Sequence, residues 1–320
     1  MTPSRAFPLP EKQGGPGVPN STGCAQNGPG RRSLRPSLGF LLFLLALILP
    51  ASGCTLKRIA VLSTAEIVED AFAVFNEEED LVIAESAAAS NLKLLEALLK
   101  SEPNHRGLLL LAARGFGSYA FAFVEEKAPG RARRLYIRGR NYGLRLLRLH
   151  GFSPPAHLDD FRRAVRKLGP RELPALFWTA YNWANWINLN QTSPRALANL
   201  PRAVAMMKRV VAVDETYFYG GAHVFLGSYF GARPKIAGGD VAAAKRHFDR
   251  ALELSGGKFL AHWVFYARYY AVPAQKKDIY VKLLKKVTQA PAGILPSERL
   301  ANIVARGRAE RMLGEVDEYF

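Results

Sequence analysis

Val241-Ala242-Ala243-Ala244-Lys245-Arg246-His247-Phe248-Asp249-Arg250-Ala251-Leu252-Glu253-Leu254-Ser255-Gly256 decides how the rest of the chain is read. Ala244, Phe248 and Ala251 recur at intervals of four and three, which on a 3.6-residue turn places them on one face of a helix. Gly256 stops the helix and Asp240 is an N-cap at its start. The same spacing returns at Ala203, Met207, Val210 and Glu215, and more loosely at Asn91, Leu95, Leu98 and Pro103. Leu226, Gly227 and Phe230 carry the matching pattern of a preceding helix. A helix that mixes small and large residues on one face packs against its own partner and against the next unit. Recurring copies therefore imply stacked helical hairpins.

Outward from that segment, apolar residues keep helical spacing from Leu56 onward, and no long stretch alternates as a strand does. The pattern predicts helices near 57–76, 80–101, 106–125, 131–149, 157–168, 172–190, 195–213, 216–230, 241–254, 258–271, 274–289 and 297–313. Breakers separate them, among them Glu102-Pro103-Asn104, Pro129-Gly130, Ser153-Pro154-Pro155, Ser193-Pro194 and Gly238-Gly239-Asp240. The expected fold is all-α: a tetratricopeptide-like helical-hairpin solenoid of about twelve helices, closed by a capping C-terminal helix. A generic helical bundle is the alternative reading of the same spacings.

The first 53 residues read as two segments. Residues 1–30 are rich in Pro, Gly, Ser and Asn without hydrophobic period, a composition for a disordered leader or a start assigned too far upstream. Residues 31–53 join a basic group, Arg31, Arg32 and Arg35, to an apolar run from Gly39 to Leu49. They end in Pro50-Ala51-Ser52-Gly53, immediately before Cys54. That run is short for a membrane span and suits a cleaved signal peptide. Small residues before a cysteine resemble the lipobox of bacterial lipoproteins, so Cys54 is the expected lipidation site and acyl chains the expected membrane anchor. Residues 54–320 form the helical domain. With Thr55 after the cysteine, the periplasmic face of the outer membrane is slightly favoured.

Only two cysteines occur, Cys24 and Cys54, which excludes a disulfide scaffold and a multi-cysteine zinc site. Five of the 44 lysines and arginines and one of the 27 acids precede residue 54. The remainder therefore carries 39 against 26. Arg131, Arg134, Arg138 and Arg145 share one helix face, followed by Arg162, Arg163, Arg166, Lys167 and Arg171. Such a face is a solvated surface or a contact for headgroups or an acidic protein. Export removes the chain from nucleic acid, so no nucleic-acid partner is expected. The six histidines form no metal-ligand spacing, and no nucleophile elbow or phosphate loop occurs. Neither catalysis nor a cofactor or metal is expected.

Two features remain as candidate sites. On the helix near 172–190, Trp178, Asn182 and Asn185 share a face that mixes an indole with amides. This suits a pocket wall, and equally a buried face with its amides paired to backbone. In the loop Arg233-Pro234-Lys235-Ile236-Ala237-Gly238-Gly239-Asp240, the glycines and Asp240 have structural work. Arg233 and Lys235 are surplus to that work, and are either part of a solvated loop or candidates for a partner or ligand contact at a rim.

Asn91-Leu92-Lys93-Leu94-Leu95-Glu96-Ala97-Leu98-Leu99-Lys100-Ser101-Glu102-Pro103-Asn104, Leu108 to Ala113, Tyr119-Ala120-Phe121 and the stretch from Tyr181-Asn182-Trp183-Ala184 to the Arg233 loop carry a wider likeness. With the lipobox, they resemble the T component of tetratricopeptide-repeat-associated TRAP transporters. The resemblance implies a periplasmic lipoprotein that forms a homotrimer with a central pore and engages an extracytoplasmic solute-binding protein. It also implies a cleft for an apolar molecule. The competing expectations are a tetratricopeptide scaffold lipoprotein for outer-membrane or envelope-polymer assembly, and a hydrolase in an unfamiliar helical fold.

Overall fold

The computed structural model describes residues 72–291 and 293–320. Cys54 and the segments 1–30 and 31–53 lie outside them, as does most of the helix expected at 57–76, of which residues 72–76 are helical. Every regular element among the described residues is a helix.

The α-helices are α1 (Leu81–Ser101), α2 (Arg106–Tyr119), α3 (Pro129–Leu149), α4 (Leu158–Arg166), α5 (Leu173–Asn188), α6 (Pro194–Leu197) and α7 (Leu200–Asp214). They continue with α8 (Tyr217–Gly231), α9 (Val241–Leu254), α10 (Ala261–Tyr266), α11 (Lys277–Thr288), α12 (Arg299–Gly314) and α13 (Val316–Tyr319). Starts follow local chemistry. The Asp80 carboxylate accepts from the Val82 and Ile83 amides at 2.7 and 3.1 Å, and Asp240 accepts from Ala243 N at 2.9 Å. Pro129 opens α3, where its missing N–H has no intrahelical partner to lose.

The hairpin spacing becomes packing. Ala244, Phe248 and Ala251 are fully buried, as are Ala203, Met207 and Val210. Burying a side chain the size of Phe248 contributes about 1.5–3 kcal/mol. Successive helices pack on one another, α1 on α2, α2 on α3, α7 on α8 and α8 on α9, while α5 packs on α3 and on α7. One core spans α1 to α8 and takes in Leu300 and Val304 of α12, and the other runs from α8 to α12 with α13 packed against it.

Three departures from the expected helices matter. The helix predicted at 195–213 is two, α6 and α7, because Pro201 takes a place in the first turn of α7 and cannot sit inside a continuous helix. The helices near 106–125 and 258–271 end in π turns, Ala120–Val124 and Ala267–Ala271, in which Glu125 N bonds to Ala120 O and Val272 N to Ala267 O. Finally, α8 begins with Phe218, Tyr219 and Gly220 all left-handed, at φ 48°, 58° and 79°.

Candidate ligand cavity

Helices α1, α2, α5, α7, α8, α10 and α12, the two π turns and the 72–76 helix surround a cavity of about 560 Å³. That falls within the size range of small-molecule sites. Its lining is predominantly apolar and aromatic, with a few polar groups spread along it.

The aromatic wall is continuous. Phe218 meets Trp178 at 4.9 Å between ring centroids, Phe177 at 5.4 Å and Phe259 at 5.6 Å. Phe121 of the first π turn stacks on Phe265, just ahead of the second, at 5.8 Å and 17°. A π turn widens the helix and displaces carbonyls from the ladder. Here Arg308 of α12 donates to the released Phe121 carbonyl at 2.6 Å and lies over the same ring at 3.7 Å.

Left-handed backbone at two consecutive aromatic residues is costly, on the order of 1–3 kcal/mol each. The rings around Phe218 hold that conformation, which turns Phe218 into the cavity instead of along α8. Strain and cavity wall therefore occur at one place.

Arg114 and Glu298 carry the charge on this wall. The Arg114 guanidinium lies 5.7 Å from the Trp178 ring and 5.9 Å from the Phe218 ring, and its Nη2 is 3.7 Å from Glu298 Oε1. Burial raises the Glu298 carboxyl above its ordinary range, and the Arg114 charge opposes that rise. His262, also on the wall, is held neutral, with burial pushing its imidazole down to about 4.

The structure separates the three residues proposed for the α5 face. Trp178 is 2% exposed and lines the cavity, and Asn185 lines it with its Nδ2 donating to Tyr181 O at 3.0 Å. Asn182 is fully buried on the other side of α5. It donates to Ala113 O at 2.8 Å and Trp178 O at 2.7 Å, a placement in the core and not on the wall. The reason lies in α3. A Cβ at Gly139 or Gly143 would collide with Asn182 or Thr179, so the bare backbone of α3 comes close enough to close that face.

At the rim, Arg233 is not surplus to the loop. Its Nε donates to Tyr229 O at 3.0 Å and its Nη2 to Gly238 O at 3.3 Å, while the guanidinium covers the Tyr229 ring. It also borders the cavity. Lys235 is exposed and lies away from the cavity, beside Ile236 at 98% exposure. The basic face is partly engaged inside the fold. Arg138 pairs with Glu96 and covers Phe116 at 4.3 Å, Arg145 bonds Asn104 at 3.4 Å, and Arg162 pairs with Asp159 at 2.9 Å. Among the described residues no group of three metal-ligating side chains occurs.

The family model described as TRAP transporter T-component matches residues 77–320, which takes in every cavity element from α1 onward. The chain belongs to that family. As a T component it is an accessory of a TRAP transporter, with the membrane association that role implies. It is also similar to an uncharacterized protein of Treponema pallidum (strain Nichols), 25% identical over 318 residues, which cover 89% of this chain and 98% of the relative.

Arg114, Glu298 and Phe218 escaped the sequence reading. Arg114 left a signal: it is the only charge between Leu108 and Val124. A lone arginine on a buried apolar helix needs a partner, and here the partner comes from the far end of the chain. Ser118 and Ser228 also border the cavity.

Proposed function

We propose that this T component binds an apolar small molecule in the aromatic cavity and exchanges it with an extracytoplasmic solute-binding protein of the transporter. The observation that carries this reading is the cavity itself, whose aromatic wall is held by a strained left-handed turn instead of being collapsed shut. A scaffold that only docks proteins has no use for such a volume. Trp178 and Asn185 serve as wall residues for the ligand, Arg233 as a rim contact, and Lys235 as a contact for the partner protein. Lipidation of Cys54 tethers the protein to the periplasmic face of a membrane, and the working unit is a homotrimer.

Two measurements test this. Full-length protein should enhance the fluorescence of the uncharged probe N-phenyl-1-naphthylamine, and Trp178→Ala should reduce that enhancement. Crosslinking in intact cells should recover a solute-binding protein. A protein that ignores the probe while recovering envelope-assembly proteins would leave the scaffold reading in its place.

A further inference from the structure

The ion pair on the cavity wall is incomplete. At 3.7 Å, Arg114 Nη2 and Glu298 Oε1 attract each other without a hydrogen bond. Among the described residues neither side chain has any hydrogen-bond partner. Their side chains are 29% and 11% exposed, and that exposure faces the cavity. A guanidinium offers five N–H donors and a carboxylate several acceptor positions. Groups this far removed from water require partners. The wall therefore presents unfilled donors and unfilled acceptors side by side, on a pair whose charges cancel, while Arg233, the other charge bordering the cavity, already donates to the Tyr229 and Gly238 carbonyls.

We propose that the cavity's ligand has an apolar body and a net-neutral polar head that accepts from Arg114 and donates to Glu298 at once. A carboxamide has this chemistry, and so does the adjoining ammonium and carboxylate of a zwitterion. This rests on the ligand-binding reading above and specifies which apolar molecules the cavity takes. An anionic head seated on Arg114 brings a second negative charge beside Glu298, where low dielectric makes like charges repel strongly. A purely cationic head meets the mirror problem at Arg114. An unsubstituted hydrocarbon leaves both groups without partners. The aromatic rings of Trp178 and Phe218, which already cover one side of the guanidinium, restrict the head to the side facing Glu298.

The test is competition against N-phenyl-1-naphthylamine on full-length protein with three ligands of one chain length. Decanamide is neutral, 2-aminodecanoic acid is zwitterionic, and decanesulfonate stays anionic. Near neutral pH, decanamide or the zwitterion should displace the probe at about tenfold lower concentration than decanesulfonate, and which of the two wins names the head. Glu298→Gln should improve decanesulfonate by about tenfold and close the gap. Equal or tighter binding of decanesulfonate by the unaltered protein would overturn the inference, and that comparison needs no variant. A gap that survives Glu298→Gln in a folded protein would overturn it too. If the probe itself does not bind, the ligand-binding reading fails first and this inference falls with it.

Discussion

Helix α5 borders two unlike regions. Toward α3, Thr179 and Asn182 meet Gly139 and Gly143, and the two backbones approach until nothing is left open. Asn182 then spends its amide on the Ala113 and Trp178 carbonyls. Toward α8, Phe177 and Trp178 meet Phe218, whose left-handed backbone turns its ring across the gap. There the helices stay apart and a cavity remains. The same helix, with the same residue type at Asn182 and Asn185, closes where its neighbour is small and stays open where its neighbour is bulky. The identity of the opposite surface decides which side of an amphipathic helix becomes a site.

Trp178→Ala gives the largest effect. Trp178 belongs to the aromatic cluster as well as to the wall, so its loss should destabilise by about 3–5 kcal/mol and should also weaken apolar-probe binding. Denaturant unfolding beside probe titration reads both. A stability loss below about 1 kcal/mol would mean that the ring is not packed as described.

Acid separates the regions next. His262 and His247 are held down to about 4 and His223 is also lowered, in each case first by burial. Their unfolded forms bind protons from the ordinary value near 6.5, so between 6.5 and about 4 the unfolded state takes up more protons than the folded one. The stability they contribute is present above that window and is lost as pH falls through it. For His262 alone the loss is on the order of 3 kcal/mol. Glu96 behaves differently. Burial would raise it, but hydrogen bonds from Arg138, Lys93 and Tyr142 outweigh this and bring it to about 2. Its contribution disappears only below about 4.5, its ordinary value. Melting temperature should therefore begin to fall near pH 6.5, and His262→Gln should flatten that first decline. A flat curve down to pH 4.5 would contradict the buried, neutral histidines.

The closed side gives the next effect. Gly143→Leu should overpack the α3–α5 contact and destabilise by roughly 1–3 kcal/mol while leaving probe affinity unchanged in the folded fraction. Within α5, the two asparagines should divide cleanly. Asn182→Ala removes the side-chain hydrogen bonds to the Ala113 and Trp178 carbonyls and should cost about 1–2 kcal/mol, with binding intact. Asn185→Ala should change stability by no more than about 0.5 kcal/mol and act on ligand selectivity instead. The reverse pattern would exchange wall and core.

How much of this was readable in the sequence follows from the range of the forces involved. Helices and their breaks are local, and the spacing of Ala244, Phe248 and Ala251 located the hairpin packing without any structure. A face on α5 was also visible, but its residues could not be assigned to core or wall, because that depends on Gly139 and Gly143 in a different helix. The π turns leave the residue pattern almost unchanged, adding a single residue to one turn. The left-handed Phe218 and Tyr219 are set by the rings around them, against their own preference. The Arg114–Glu298 pair joins the second helix to the entry of the twelfth, a contact that no periodicity encodes.

The volume bounded by Trp178, Phe218 and Phe265 is, on the proposed function, a binding site for an apolar molecule. Crystals grown with 1-bromodecane test it directly through the anomalous signal of bromine. The account predicts a bromine peak inside the cavity, in contact with those rings, which is lost in Trp178→Ala. Bromine found only on the protein surface, with the cavity collapsed or filled by ordered water, would contradict it.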